Sequence, residues 1–330
     1  MDAVGDRPNR RRRDRSSWRS RDERTSERAM KLPDIPHCAV YAIIGRPNVG
    51  KSTLLNHLVG QKISITSRKP QTTRYRVNGI VQHGTTQLVF ADTPGWQRQP
   101  QGRMHKLMNQ QIEQAMQDID GVLFVIDATQ WRTEDEALAE SVQQFKGSSF
   151  LVINKIDRLP RRDSLLPLID DLTRRFAFDS VFPVCALQRE DLAPLLDALA
   201  AQAPARPYLF DPDQVTDRPE RFVAAELIRE KLARQLGAEL PYATHVAVER
   251  FEDREGITHI DAVIWVEKPG QKAIVIGVGG QRIKQIGSAA RLDIERMLGR
   301  RVFLKTWVKV KGKWTEDPAA IGIFGASDGS

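Results

Sequence analysis

An apolar run, Cys38 to Ile44, passes directly into Gly45-Arg46-Pro47-Asn48-Val49-Gly50-Lys51-Ser52, and a helical stretch follows from Lys51 to Leu58. This Gly-x-x-x-x-Gly-Lys-Ser pattern in a strand, loop, helix setting admits few folds. The glycines let the backbone curl until its N–H groups face a phosphate chain, and the helix N-terminus adds partial positive charge. In that geometry Lys51 reaches the β- and γ-phosphates and the Ser52 hydroxyl ligates Mg²⁺.

Four further apolar runs repeat the theme: Gln87 to Ala91, Gly121 to Ile126, Ser149 to Ile153 and Ser180 to Val184. Each is short and largely without polar alternation, which suits strands covered on both faces. Helical stretches such as Glu134 to Gln144 lie between them. The alternation predicts an α/β domain over residues 37–204, a mostly parallel sheet with helices on both faces. Pro204, Pro207, Pro212 and Pro219 then crowd a stretch that reads as a linker, which with a connecting helix occupies 205–234. That helix is expected over Glu220 to Leu236. Strand-like His245 to Glu249 and His259 to Glu267 follow, then the apolar run Ala273 to Gly277, a helix from Gln281 to Leu298 and a strand from Val302 to Val310. These form a smaller α+β domain over 235–314, with a C-terminal tail over 315–330.

Two signals extend the phosphate loop. The run ending at Ala91 leads into Asp92-Thr93-Pro94-Gly95. At the C-terminal edge of a parallel sheet, Asp92 lies beside the loop and can hold Mg²⁺ through water, while Gly95 can donate its N–H to a γ-phosphate. Asn154-Lys155-Ile156-Asp157 ends another run. A carboxylate there accepts hydrogen bonds from guanine N1–H and the 2-amino group, a donor pair that adenine lacks. Asp157 therefore predicts GTP over ATP, because a buried partner left unpaired costs about 1–3 kcal/mol.

The 330-residue chain is 41% apolar and 28% charged, too apolar for general disorder. Cys38 and Cys185 stand alone, which supports neither a disulfide framework nor a thiolate zinc site and suits a reducing cytosolic compartment. No run of eighteen apolar residues and no apolar secretory stretch is present, so neither a membrane span nor export is expected. Residues 1–36 form an Arg-rich tail, whose first thirty residues hold ten Arg and six acidic residues. It reads as a disordered segment, with a nucleic-acid arm or a targeting segment as alternatives, and Met30 offers a second start site.

The ordered set Gly45 to Ser52, Asp92 to Gly95 and Asn154 to Asp157 resembles a translation-factor-type small GTPase. Gly60 to Arg74, Gly-Gln-Lys-Ile-Ser-Ile-Thr-Ser-Arg-Lys-Pro-Gln-Thr-Thr-Arg, resembles the Era family of ribosome-assembly GTPases, and the likeness extends through Tyr208 to Phe222 and on to residue 314. The resemblance implies that Gln71 to Arg74 form the first switch. Thr73, with Thr72 as the alternative, would place an oxygen on Mg²⁺ beside Ser52 and Asp92. Lys51, Thr73, Gly95 and Asn48 would serve hydrolysis. GTP or GDP would lie against Gly45 to Ser52, Asp92, Thr93, Pro94, Gly95, Trp96, Asn154, Lys155, Ile156, Asp157, Cys185 and Ala186. The resemblance also implies a switch that binds the 3′ region of 16S ribosomal RNA and assists 30S subunit assembly. Such a chain would be a cytoplasmic monomer with peripheral contact to the inner membrane.

The chain departs from the family pattern at two places in this domain. The guanine-backing signature is usually Ser-Ala, and here Cys185 precedes Ala186. The Ala186 N–H can still meet guanine O6, so base choice should survive. Trp96 stands where Ras-like enzymes carry a water-orienting Gln. An indole cannot polarise water as an amide can, so intrinsic turnover should be slow. Relatives with an apolar residue there use a K⁺ ion held partly by a loop asparagine, and Asn48 occupies that slot.

In the second domain, Gly277-Val278-Gly279-Gly280 separates an apolar run from a helix. A Gly-x-x-Gly turn inside an α+β unit is the fingerprint of a KH domain, whose glycine loop approaches the phosphates of a short single strand. The family resemblance makes it type 2. Relatives commonly have Lys inside this loop where this chain has Val278, so Arg282 and Lys284 become the expected phosphate anchors. From Lys268 to Lys313 the sequence holds twelve basic and two acidic residues, a net +10, against a net −6 over residues 211–267, seven basic and thirteen acidic. On one face this would attract RNA in a salt-dependent way. Ile274, Ile276, Ile283 and Ile286 would line the base-accepting groove. Two rival functions stay open: an RNA-binding or chaperone protein in which nucleotide is structural, and an ATP-driven enzyme.

Overall fold

The computed structural model describes residues 35–67, 74–93, 118–237, 240 and 244–312. Residues 1–34 of the Arg-rich tail, the switch residues Gln71, Thr72 and Thr73, Pro94, Gly95 and Trp96, and the C-terminal tail 315–330 lie outside the described residues.

The first sheet has the order β2-β3-β1-β4-β5-β6, from β1 (His37–Ile44), β2 (Val77–His83), β3 (Thr86–Asp92), β4 (Gly121–Asp127), β5 (Ser148–Asn154) and β6 (Ser180–Val184). All its pairings are parallel except β2 with β3. Successive β1 residues point to opposite faces, so Tyr41 and Ile43 enter one apolar cluster while Ala42 and Ile44 enter another. Helices α1 (Lys51–Val59) and α4 (Ala193–Ala201) cover the first face with Leu54, Leu55, Leu58, Leu195 and Leu199. Helices α2 (Thr133–Gln143) and α3 (Leu165–Arg175) cover the second with Leu138, Val142 and Leu172. Burial on both faces is the reason these strands read as unbroken apolar runs.

Strand β2 escaped the sequence reading because Val-Asn-Gly-Ile-Val-Gln-His mixes polar and apolar residues. It is the edge strand, and the Pro-rich stretch is fastened along it: Ile80 N–H donates to Val215 O at 2.9 Å, and Asp217 accepts from Asn78 N–H at 3.0 Å and Asn78 Nδ2 at 2.9 Å. Further in, Gln87, wholly buried on β3, accepts Leu209 and Phe210 N–H on Oε1 and donates to Phe210 O. The segment expected to be a linker is thus bound to the first sheet through backbone and side-chain hydrogen bonds.

The second sheet, ordered β7-β8-β9, contains β7 (Thr244–Arg254), β8 (Ile257–Val266) and β9 (Arg301–Val310), with β8 antiparallel to β7 and parallel to β9. Helices α5 (Glu220–Gln235), α6 (Pro269–Ile276) and α7 (Gln281–Leu298) complete it. Ile260, Ala262, Ile264 and Val266 of β8 share a core with Leu227, Ile228, Val275, Ile286, Ala290 and Ile294. In the run Ala273 to Gly277, Ala273 to Ile276 form the second half of α6, started by Pro269 at the first helical position, and Gly277 caps it. Helix α5 is buried at twelve of its sixteen residues. It packs on α7 and β7 and also meets the first domain, where Tyr75 sets its ring edge-on to Phe222, centroids 6.0 Å apart.

Candidate nucleotide and RNA sites

The loop Gly45 to Ser52 leaves the C-terminal end of β1 and enters α1, as its pattern requires. Gly50 sits at φ 108°, and a Cβ there would lie 2.2 Å from Asn154 Nδ2. No other residue fits without displacing Asn154. That asparagine binds the site together: its Nδ2 donates to Val49 O at 2.8 Å, and its Oδ1 accepts Ala186 N–H at 2.9 Å. Lys155 adopts φ 65° and donates to Asn48 O and to Asp127 Oδ2, the latter at 2.6 Å. Asp127 ends β4 just as Asp92 and Asn154 end their strands, a signal in the sequence that went unused. Burial pushes its carboxyl up, but hydrogen bonds from Lys155 and Thr129 outweigh that and hold it below the ordinary carboxylate value.

Lys51 is buried, its Nζ donating to Gly45 O at 2.9 Å and Arg46 O at 3.2 Å. Burial lowers its pKa to about 8 against the opposing charge of Asp92. Arg46, assigned to the nucleotide set, turns its guanidinium away from the loop, to Asp135 Oδ2 at 2.8 Å and Gln130 O at 3.1 Å. Its contribution to the loop is therefore its backbone. Pro47 is half-buried, Asn48 exposed and Val49 fully buried.

At the metal side, Asp92 Oδ2 accepts Ser52 Oγ at 2.8 Å and Ser64 Oγ at 2.7 Å. Thr93 Oγ1 donates to Ile43 O at 2.8 Å, which seats the end of β3 on β1. At the base side, Ile156 is half-buried and Asp157 exposed. Burial raises the Cys185 thiol pKa, and the neighbouring carboxylates of Asp157 and Asp191 raise it further. Cys185 is a buried residue whose N–H donates to Asp191 Oδ2 at 3.0 Å. The described residues of the phosphate, metal and base sets thus converge on one edge of the sheet.

The glycine loop of the second domain joins α6 to α7. Gly279 and Gly280 are left-handed, at φ 56° and 74°, and nothing lies within 4 Å of a Cβ built on either, so the loop backbone is open to a ligand. Val278 is 89% exposed. Arg282 donates to Ile274 O, bracing the loop, while Lys284 is exposed. Ile286 is wholly buried in the core and cannot line a groove, which corrects the groove assignment; Ile274 is half exposed, and Ile276 and Ile283 are partly so. The basic stretch is also divided. Arg291 pairs with Glu295, Arg296 with Asp293, Arg300 with Glu220 and Lys309 with Glu249, while Lys268, at the far end of α6, and Lys284, early in α7, are exposed.

Residues 40–155 match the family model described as 50S ribosome-binding GTPase, and residues 239–315 match the KH domain model. Two curated relatives span almost the whole chain: GTPase Era of Stenotrophomonas maltophilia, 49% identical over 88% of this chain and 97% of that one, and GTPase Era of Marinobacter nauticus, 45% identical over 88% and 95%. The chain belongs to the Era family of GTPases. Among solved structures, Era in complex with MgGDPNP and nucleotides 1506–1542 of 16S ribosomal RNA superposes with a TM-score of 0.83 at 36% identity, covering 88% of this chain and 99% of that one. An Aquifex aeolicus Era variant bound to GDP·AlF4⁻ matches equally well. The Era fold is therefore the fold described above, a P-loop GTPase domain followed by a KH domain.

Proposed function

We propose that this chain hydrolyses GTP as a switch, binds the 3′ region of 16S ribosomal RNA through its KH domain, and assists assembly of the 30S subunit. One observation carries the reading: the phosphate loop, Asp92, and the Asn154 to Asp157 and Ala186 elements share one sheet edge, on a chain whose second domain presents an open glycine loop. The relative of known structure that holds both MgGDPNP and 16S ribosomal RNA supports it.

Ser52 and Asp92 offer a hydroxyl and a carboxylate 2.8 Å apart. Hard oxygen donors of this kind suit Mg²⁺. These residues, with Thr73, would hold the ion, which when bound neutralises charge on the β- and γ-phosphates. Lys51 is confined to the loop by Gly45 O and Arg46 O, ready to exchange those carbonyls for phosphate oxygens. Asp157 selects guanine, and the Ala186 N–H, which donates to Asn154 Oδ1, would meet O6 by exchanging that bond. Gly95 would donate to the γ-phosphate. Trp96 offers no amide to orient water, and Asn48 would help seat a K⁺ ion, which when bound would supply transition-state charge. Hydrolysis in KCl should exceed that in NaCl, and equal rates would remove K⁺ from the scheme.

At the KH domain, Gly277, Val278, Gly279 and Gly280 would admit the RNA backbone, with Arg282 and Lys284 beside it. No described helix is long and apolar enough to cross a membrane. Action as a monomer with peripheral inner-membrane contact belongs to the same proposal, and vesicle flotation checks the contact. The deciding experiment crosslinks the purified chain, loaded with a non-hydrolysable GTP analogue, to total RNA and sequences the adducts. Enrichment of the 3′ end of 16S ribosomal RNA is the expected result, and enrichment of another RNA overturns the partner. GTP-against-ATP competition and multiple-turnover phosphate release with and without RNA separate this reading from an ATP-driven enzyme and from an RNA chaperone with structural nucleotide.

A further inference from the structure

The segment that leads from α1 toward the first switch is held far more tightly than a connector needs. Ser64 is 3% exposed. Its backbone is clasped by one side chain, Asn56, whose Oδ1 accepts Ile63 and Ser64 N–H at 3.0 and 2.9 Å and whose Nδ2 donates to Ser64 O at 2.7 Å. Its hydroxyl donates to Asp92 Oδ2, the same oxygen that receives Ser52. On either side of Ser64, two residues away, the chain is tied to α5 and α7. Lys62 Nζ bridges Glu230 Oε1 of α5 at 2.8 Å and Asp293 Oδ2 of α7 at 3.0 Å. Thr66 N–H donates to Glu230 Oε2 at 3.0 Å, and Thr66 O accepts Arg234 of α5. The Glu230 side chain is wholly buried and also pairs with Lys231 and Arg234, so it is a fixed anchor.

We infer that Ser64 is a positioning residue for Asp92, and that the connecting helix α5 and the KH-domain helix α7, through Glu230 and Asp293 acting on Lys62 and Thr66, hold Ser64 in place. The inference rests on the reading of Ser52 and Asp92 as the Mg²⁺ side of the site. Mg²⁺ tolerates little departure from octahedral geometry, so a carboxylate that reaches it through water must be aimed. Hydrogen-bond partners behind metal-binding groups typically change metal affinity 10- to 100-fold when removed. A lone hydroxyl in that role belongs at the lower end of the range. Because the clamp comes from the other domain, the geometry at Asp92 depends on how α5 and α7 sit.

The test loads the full-length chain with fluorescent GDP and follows its release over a series of free Mg²⁺ concentrations. For Ser64→Ala, the Mg²⁺ concentration that half-protects GDP should rise about tenfold while the release rate in EDTA stays at the native value. Ser64→Thr, which keeps the hydroxyl, should recover the native midpoint. Lys62→Met should shift the midpoint in the same direction by about threefold, since one of the two ties remains. An unchanged midpoint in Ser64→Ala, or an equal acceleration in EDTA that marks general loosening, overturns the role of Ser64. A native midpoint in Lys62→Met overturns the clamp. If Mg²⁺ does not slow GDP release from the native chain, the underlying metal reading fails instead.

Discussion

Arg46 of the phosphate loop donates its Nε proton to Asp135 Oδ2 of α2 across 2.8 Å, with both side chains buried. Burial pushes the Asp135 carboxyl up and the Arg46 guanidinium opposes it, so the pair is held by contact and by a low-dielectric setting together. Removing one partner from a buried pair leaves the other uncompensated, at a cost of about 3–5 kcal/mol. Asp135→Ala should therefore lower the denaturation midpoint markedly and speed GDP release. Replacing both partners by apolar residues should return most of the stability, which a double-mutant cycle in urea measures.

Base choice should move with a single atom type at Asp157. Asp157→Asn replaces an acceptor with a donor and should weaken GTP binding by about tenfold, the consequence of losing one hydrogen bond to a charged acceptor. Xanthine carries a carbonyl where guanine has its amino group, so the variant should gain affinity for xanthosine triphosphate. Competition titration against labelled GDP checks both directions.

The glycine loop and GTP turnover should separate. Gly279 has open space at its Cβ position, and Asp tolerates left-handed backbone, so Gly279→Asp can fold while placing a carboxylate against RNA phosphate. RNA affinity should fall about tenfold or more with basal GTPase unchanged. Lys284→Ala should instead flatten the log–log salt dependence by about 0.7, one phosphate contact on a single strand. Filter binding over a salt series distinguishes the two effects.

His245 should set an acid limit on stability. Burial above all, with the charges of Arg74, Arg229 and Lys311 adding to it, lowers its pKa from 6.5 to about 3. The folded state thus resists a proton that the unfolded chain accepts. The stabilisation is complete above pH 6.5 and is lost progressively as pH falls toward about 3, the loss reaching about 2 kcal/mol near pH 5. In His245→Phe, the fall in unfolding free energy between pH 7 and pH 5, measured by urea titration, should shrink by that amount.

Much of this was legible in the chain itself, for physical reasons. Doubly covered strands write themselves as apolar runs, and the glycine at position 50 follows from the approach of Asn154. The antiparallel β2 was hidden because an edge strand may alternate in polarity and still be held, here by Val215 and Asp217 from far along the chain. Ile286 and Ile274 show the limit of periodicity: α6 and α7 present apolar residues at similar spacing, and only their packing decides that one is core and the other half exposed. Charge counting failed for a related reason. Glu220, Glu249, Asp293 and Glu295 are placed by the fold against arginines and a lysine whose tally alone implied a free basic face. Glu230 carried no motif, and Ser64 lay within the family-like stretch Gly60 to Arg74 with no role assigned, because their roles arise only when the two domains meet.

Helix α5 has almost no side that faces water, since Phe222 meets Tyr75, Glu230 meets Lys62, and the remaining apolar positions meet the second sheet and α7. Its substitutions cannot be sorted by phenotype. A genetic screen for loss of nucleotide turnover and an independent screen for loss of RNA binding should recover the same α5 alleles. Lesions at Asp157 or Gly279 should appear in one screen only, so overlap between the two collections would trace this shared wall.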